Sequence, residues 1–423
     1  MNKKNIKIPL QIFLLDVILI FTTKFFQSTP FETAFFRLQA VFLLFMLFFI
    51  FVYIADILMH QKNINSKVLY FLSIVIIIPF YSAYRAHVEF GQPYIYGILS
   101  QRSWLILAVG IWFYYSLTTK KISLSTMEQA FLFMAWTSLI VFSLFALTFD
   151  PSQLTGDEKF ARLTEDRGVR FKFQKFFITF GSIYYFIKYS MHKKTVDLLI
   201  LFAFLTYVFF VIQGRTYILL LIGTFLLYYY LNYSLKKFFL ILLKIFLFVL
   251  FVIVVIQVIM PGYIEKMVNL FAQMFSVLGG EKSDDASANA RIWQSLIVFN
   301  YFASHISSIW FGTGKVSKHW NDGYESIFGY FYPSDIGLIG GVFLYGVLGL
   351  FFLWIIPIVL KIKEIKKTKH TNNIFIVTIK YMLVLSILRS IQGGMYFGDY
   401  IWIVLLFILL AFNKMRGEIG ARI

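Results

Sequence analysis

Long, nearly unbroken apolar runs alternate with short polar connections, the arrangement expected of membrane-spanning helices rather than of half-buried strands. A crossing needs roughly 20 mostly apolar residues. The runs predict twelve, at approximately 8–24, 38–59, 68–85, 104–119, 127–148, 173–190, 195–212, 216–233, 238–260, 335–360, 374–391 and 399–413. The expected fold is an all-α polytopic membrane protein of about 12 transmembrane helices, with residues 1–423 forming one integral membrane domain. Three connections exceed turns: Arg85 to Ser103, Thr148 to Lys172, and Pro261 to about Ser334. Loops longer than about 12–15 residues usually have structure or function of their own. The largest, 261–334, lies between crossings nine and ten and opens on the helix stop Pro261-Gly262. Two amphipathic stretches are predicted within it. Ile264, Met267, Val268 and Phe271 keep helical spacing before Gly279-Gly280. Ser283-Asp284-Asp285 then reads as an N-cap region for a helix from Asn289 to about His305. In that helix Ile292, Leu296 and Phe299 share a face flanked by Trp293, Ile297 and Tyr301. Phe311-Gly312-Thr313-Gly314 reads as a tight turn, and Asp335 heads the tenth crossing.

Composition removes other classes. Hydrophobic residues make up 59% of the chain, aromatics 20%, and the mean hydropathy is +0.76, which excludes a soluble domain and disorder. The formal charge of +18 does not imply nucleic acid, because the lysines sit in short loops, where orientation and anionic headgroups account for them. No cysteine occurs, so disulfides and thiolate chemistry are excluded. The N-terminal run carries Asp16 and no small-residue cleavage site, so it is expected to be a retained first helix.

The charges sort by type across the connections. One set holds lysines: Lys62, Lys67, Lys120, Lys121, Lys188, Lys193, Lys194, Lys236, Lys237, and the group Lys361 to Lys369. The other holds Arg37, Arg85, Arg102, Arg162, Arg167, Arg170, Arg215, Arg291 and Arg389. Lysine-rich short loops face the cytoplasm by the positive-inside rule. The even number of crossings then puts both termini there. Arginine on the outer face needs another reason, and the guanidinium fork is the side chain best matched to phosphate and carboxylate. The outer face therefore reads as a site for an anionic substrate.

Each candidate has a plainer alternative. Arg215, in the short turn Gln213-Gly214-Arg215-Thr216, sits at the outer interface between two helices, where a charge is costly unless paired or facing water. It either binds an anion or snorkels to lipid phosphate. Arg291 stands near the start of the predicted loop helix, an anion-friendly end, or on a solvated face. Arg389, before Gln392-Gly393-Gly394, either contributes to the same site or anchors a helix end. Arg102 and Arg170, in the first two long connections, are further substrate-binding candidates. Asp335 is a helix-start carboxylate whose default role is capping. His319, beside Asp322 and Glu325, is either a general base or a solvated loop histidine. Trp310 and Tyr324, with Trp293, Trp320, Phe331 and Tyr332, either stack on sugar rings or form an interfacial belt. The glycines from Gly337 to Gly349 suit close helix packing. Gly312-Thr313-Gly314-Lys315 lacks the remaining glycine and the strand context of a phosphate-binding loop. The charged second connection is compatible with a salt-bridged hairpin. The outer histidines, His87, His305 and His319, are scattered and no metal constellation is visible, so neither metal nor other cofactor is expected.

The order Gly214-Arg215-Thr216, Ala290-Arg291-Ile292-Trp293, Trp310-Phe311-Gly312-Thr313-Gly314, Ser334-Asp335-Ile336-Gly337 and Leu344-Tyr345-Gly346-Val347-Leu348-Gly349 resembles that of Wzy-type polysaccharide polymerases, such as O-antigen polymerases, and of the related O-antigen ligases. By motif the resemblance runs from about Gln213 to Phe352; the first half agrees only in hydropathy. It implies a GT-C-like glycosyltransferase in the bacterial inner membrane, working on the periplasmic or exterior face without a metal. A glycan on undecaprenyl pyrophosphate would be transferred to the end of a fresh lipid-linked repeat unit. Arg215 and Arg291 would match the arginines placed at the pyrophosphate, and Asp335, His319 and Asp322, in that order, are candidate bases. The ligases' histidine–asparagine pair is missing near Ser334-Asp335, which favours a polymerase. Partners would be lipid-linked glycans, membrane lipids and a chain-length regulator protein. The alternatives are a ligase acting on lipid A core and a lipid-oligosaccharide flippase. Against a flippase, Asp16 is the only carboxylate deep in a predicted crossing and no related halves stand out.

Overall fold

The structure, a computed structural model, describes residues 3–29, 31–60, 65–150, 160–164, 168–237, 239–240, 243, 286–393, 395–398 and 400–420. Most of the ninth predicted crossing lies outside the described residues, as do 261–285 with their amphipathic stretch and Ser283–Asp285 cap. The described helices are α1 (Lys3–Thr23), α2 (Glu32–His60), α3 (Ser66–Phe90), α4 (Tyr94–Ser100), α5 (Leu107–Thr118), α6 (Leu124–Thr148), α7 (Phe176–His192), α8 (Thr195–Tyr207), α9 (Arg215–Asn232), α10 (Ala286–Ser304), α11 (Ile306–Phe311), α12 (Glu325–Phe328), α13 (Gly337–Leu350), α14 (Ile356–Lys367), α15 (Ile374–Arg389) and α16 (Tyr400–Gly420). Between α6 and α7 lies a hairpin of β1 (Ala161–Thr164) and β2 (Gly168–Phe171), with Arg162 opposite Arg170 in antiparallel register.

Among the described residues, seven stretches are long and apolar enough to cross a membrane: Glu32–Met59, Ser66–Phe90, Tyr94–Thr118, Leu124–Thr148, Thr195–Ile212, Pro333–Lys367 and Tyr400–Gly417. Pro9–Thr23 and Thr216–Asn232 are shorter apolar helices. The chain is thus an α-helical membrane protein. Crossings six and eleven correspond to α7 and α15, of 17 and 16 residues. Both lie inside the bundle: α15 is buried along almost its whole length, and Phe131 of α6 packs on Phe180 of α7 and Phe375 of α15. In α16, residues Trp402 to Ala411 are buried, and Phe407 packs against Gly110 of α5 so closely that a Cβ there would overlap the ring.

Local signals set several helix ends. Asn65, Ser123 and Asn373 accept from the backbone N–H of Lys67, Thr126 and Ile376, capping α3, α6 and α15. Gly91 ends α3 in the left-handed conformation at φ 74°. α3 spans 25 residues, about 37 Å at 1.5 Å per residue, so its two ends sample opposite ends of the bundle.

Those ends differ in charge chemistry. At the start of α3, Lys67 pairs with buried Glu364 of α14, which also accepts from Lys367 at 3.1 Å and from Asn413 Nδ2 of α16 at 2.8 Å. At the other end, Arg85 pairs with Glu89. One lysine departs from the expected loop set: Lys361 is buried and its Nζ donates to Ser386 Oγ at 2.8 Å, one helical turn from Arg389.

Glu364 joins three helices through three donors. Charged hydrogen bonds of this kind contribute roughly 1.5–3 kcal/mol. Glu364→Ala is expected to destabilise the detergent-solubilised protein by that order, read as a lowered thermal midpoint, and an unchanged midpoint would show that the cluster holds nothing together.

Candidate functional site

The segment after α11 enters the bundle as extended chain. The tight turn expected at Phe311–Gly314 is not formed, and the cause is a break in α13. Gly346 has φ 69° and ψ 173° inside that helix, freeing carbonyls that residues 347 and 348 would otherwise engage. Thr313 N donates to Phe343 O at 2.8 Å and Gly314 N to Leu344 O at 2.9 Å, taking their place. The other face of the segment is read by α3 and its neighbours. Arg85 Nε donates to Gly312 O at 2.8 Å, Lys315 N to Ser82 Oγ at 2.9 Å, and Ser317 N to Gln92 Oε1 at 2.7 Å. Two glycines are required here. A Cβ on Gly314, at φ 77°, would strike the backbone of Ser82 and Ala86, and one on Gly312 would strike Leu344 and Gly346.

This docking fixes Lys315. Its side chain is half-buried, with Nζ donating to Ser100 O at 3.2 Å. Burial, then the neighbouring charges of Lys24 and Arg102, push the ammonium down to about 8. Arg102 is exposed, two residues beyond Ser100.

A second group of cations gathers at the Gln213–Arg215 turn. The helix after α8 widens into a π turn, Val208–Ile212, and Gln213 takes φ 49° before Gly214 opens α9. The structure describes the backbone of Arg215. Around it, Lys175 Nζ lies 5.7 Å from the Tyr217 ring centre, and 3.7 Å from where a Gly214 Cβ would stand. Tyr217 Oη shares a 2.7 Å hydrogen bond with Thr179 Oγ1. Arg389, half-buried at the end of α15, is near enough to Tyr217 to act on its phenol electrostatically. Arg389 also lines a cleft with Trp354, Lys361, Ser386, Ser390 and Trp402. That cleft has a volume of about 20 Å³, room for about one water and not for a headgroup. Beside the turn, α6, β2 and the π turn enclose an apolar groove of about 400 Å³, lined by residues including Leu147, Val169, Phe171, Tyr207, Phe210 and Val211. Arg170, whose backbone alone is described, stands between two of these lining positions.

The remaining candidates separate. Arg291 is exposed, one turn before buried Gln294, whose Oε1 accepts from Tyr332 N at 3.2 Å. The shared apolar face of α10 is turned outward: Ile292, Leu296 and Phe299 are exposed, while Gln294, Val298 and Phe302 are buried. Asp335 is exposed and makes no side-chain cap on α13; the Pro333–Ile336 turn precedes Gly337, which packs on Ile391 and Gln392 just beyond Arg389. His319, Asp322 and Glu325 are all exposed, and among the described residues no hydrogen bond links His319 to either carboxylate. Tyr324 does not offer a face to sugar. It is buried, its hydroxyl donates to Gly314 O at 2.6 Å and accepts from Val316 N, and its ring packs on Phe331 and Phe343. Trp310 is exposed. Among the described residues no group of three or more potential metal ligands occurs.

Sequence reasoning missed Lys24, Lys175 and Lys315. Lysine was read as a marker of the opposite end, so lysines lying among the arginines were the available signal.

Gly314→Ala is expected to destabilise the protein by more than the roughly 1–3 kcal/mol of a strained φ alone, since backbone atoms block the added methyl. Gly223→Ala, with open space around it, is the matched control. Equal melting midpoints for the two variants would mean that the extended segment is not docked. No protein-family model matches the chain, and no curated protein matches it in sequence.

Proposed function

We propose that this protein polymerises lipid-linked oligosaccharide repeat units, in the manner of O-antigen polymerases, on the outer face of a bacterial inner membrane. The observation that carries the reading is the Lys175–Tyr217–Arg389 group around the Gly214-Arg215 turn, set beside an apolar groove. A cationic cluster bordering an apolar groove suits an amphiphile with a phosphate head and a hydrocarbon tail, such as undecaprenyl pyrophosphate carrying a glycan.

In the proposed reaction an acceptor sugar hydroxyl attacks the anomeric carbon of the donor chain. The bond from that carbon to the pyrophosphate oxygen breaks, and undecaprenyl pyrophosphate departs with the electron pair. Arg215 and Arg389 stabilise the growing negative charge. Removing one preorganised donor of this type costs about 2.7–4 kcal/mol of barrier. Asp335 is favoured over His319 to accept the hydroxyl proton, because its turn abuts the segment just beyond Arg389. Arg291, exposed on α10, is assigned to the incoming lipid-linked unit.

Purified full-length protein incubated with a lipid-linked repeat unit should yield a ladder of products. Transfer to lipid A core alone would indicate a ligase, and vesicle translocation without new glycosidic bonds a flippase. Arg215→Ala should slow the ladder about 10²–10³-fold. Arg215→Lys should also be impaired, because a point charge does not reproduce the guanidinium fork. Wild-type chain lengths from Arg215→Ala and Arg291→Ala would refute the assignment.

A further inference from the structure

We propose that α11 and the extended segment after it form a re-entrant hairpin, which dips into the membrane leaflet at the Arg85 end of the bundle and turns Ile306, Trp310 and Phe311 onto its hydrocarbon chains. α3 serves as the depth gauge. On the way down, Tyr301 Oη and Ser308 Oγ donate to the carboxylate of Glu89 at 2.7 and 3.0 Å, beside the end of α3. Phe311 O then accepts from Tyr81 Oη at 2.6 Å, and Gly312 O from Arg85 Nε at 2.8 Å. On the way back, Lys315 N donates to Ser82 Oγ, and Ser317 N to Gln92 Oε1, past the helix end. Tyr81 stands about 13 Å along α3 from Phe90, at 1.5 Å per residue. The helix is about 37 Å long and a hydrocarbon core roughly 30 Å thick, so a centred α3 leaves Phe311 roughly 10 Å below the hydrocarbon surface. α13 gives the same depth independently. Thr313 N and Gly314 N reach Phe343 O and Leu344 O, about 10 Å inside that helix from Gly337. The two helix ends coincide, since Phe90 packs on Phe328, and Phe328 on Phe331 just ahead of Pro333.

The side chains sort as lipid requires. Ser308 is buried against Glu89, while Ile306, Trp310 and Phe311 are 67%, 52% and 46% exposed. α10 shows the same inversion, with Gln294 inward and Ile292, Leu296 and Phe299 outward, and Phe80 and Tyr84 of α3 are exposed beside Tyr81. Large apolar side chains gathered on an outer face mark a surface that water does not cover, and the depth set by α3 and α13 names hydrocarbon as what covers it. Non-helical backbone is tolerated at such depth only where protein satisfies its polar groups. The run from Gly312 to Ser317 meets that condition through its bonds to α3, Gln92 and α13. The inference does not rest on the polymerase reading.

The chain contains no cysteine, so single thiols introduced into the full-length protein can be labelled cleanly. Ile306→Cys, Phe311→Cys and, as the reference in the exposed polar stretch, Asp322→Cys are each given a nitroxide and reconstituted into phosphatidylcholine vesicles. Collision with oxygen, which concentrates in hydrocarbon, is compared with collision with a water-soluble nickel chelate. The ratio of oxygen to nickel collisions should rise from Asp322 to Ile306, and rise again at the deeper Phe311. A second variant needs no thiol and keeps the site apolar. The fluorescence that Trp310→Phe removes from the wild-type spectrum should be the part quenched by phospholipids brominated midway along their chains. Nickel contact at Ile306 and Phe311 equal to that at Asp322, with no bromine quenching of Trp310, would put the hairpin in water and overturn the proposal. Shielding of both positions from oxygen and nickel alike would overturn it too, and would assign the face to a contact with a second copy of the chain.

Discussion

A broken helix inside an apolar bundle must have its freed carbonyls answered, because no water is there to do it. In this protein the break is at Gly346, and the answer comes from Thr313 and Gly314, whose N–H groups reach Phe343 O and Leu344 O. The exchange is mutual. The extended segment has no helix of its own to satisfy its backbone, so it depends on the break as much as the break depends on it. Tyr324, Arg85, Gln92 and Ser82 complete the set. Buried polar groups of this kind fix one arrangement among many, since any slip leaves several of them unpaired at once. The chain that follows α10 and α11 is thereby locked to α3 and α13. Each cation in it inherits a fixed position relative to the bundle.

Seven of the twelve predicted crossings were legible, because their apolar runs form helical stretches long and apolar enough to span among the described residues, and α10 was foreseen within a few residues of its limits. The charged connection that allowed a hairpin forms one. Which way the apolar face of α10 would turn was left open, for a physical reason. An apolar stripe points inward when water lies outside, but near a lipid surface Ile292, Leu296 and Phe299 lose little by facing out. Gln294 then turns inward to meet the Tyr332 amide. The extended segment was illegible from local sequence. Gly312 and Gly314 suggest a turn, and only the partner carbonyls 30 residues along the chain make them a docked strand-like run. Tyr324 was misassigned for the same reason, its hydroxyl being committed to that run.

Charge type was informative about ends and misleading about sites. Sorting arginine from lysine picks out the end of α3 that carries Arg85, and the Lys67–Glu364–Lys367 cluster lies at the other. Not every outer arginine is available for binding, since Arg85 is engaged by Glu89 and Gly312 O. Lysines placed among the arginines carry as much of the local positive charge. A lysine in a short loop is ordinarily a topology signal.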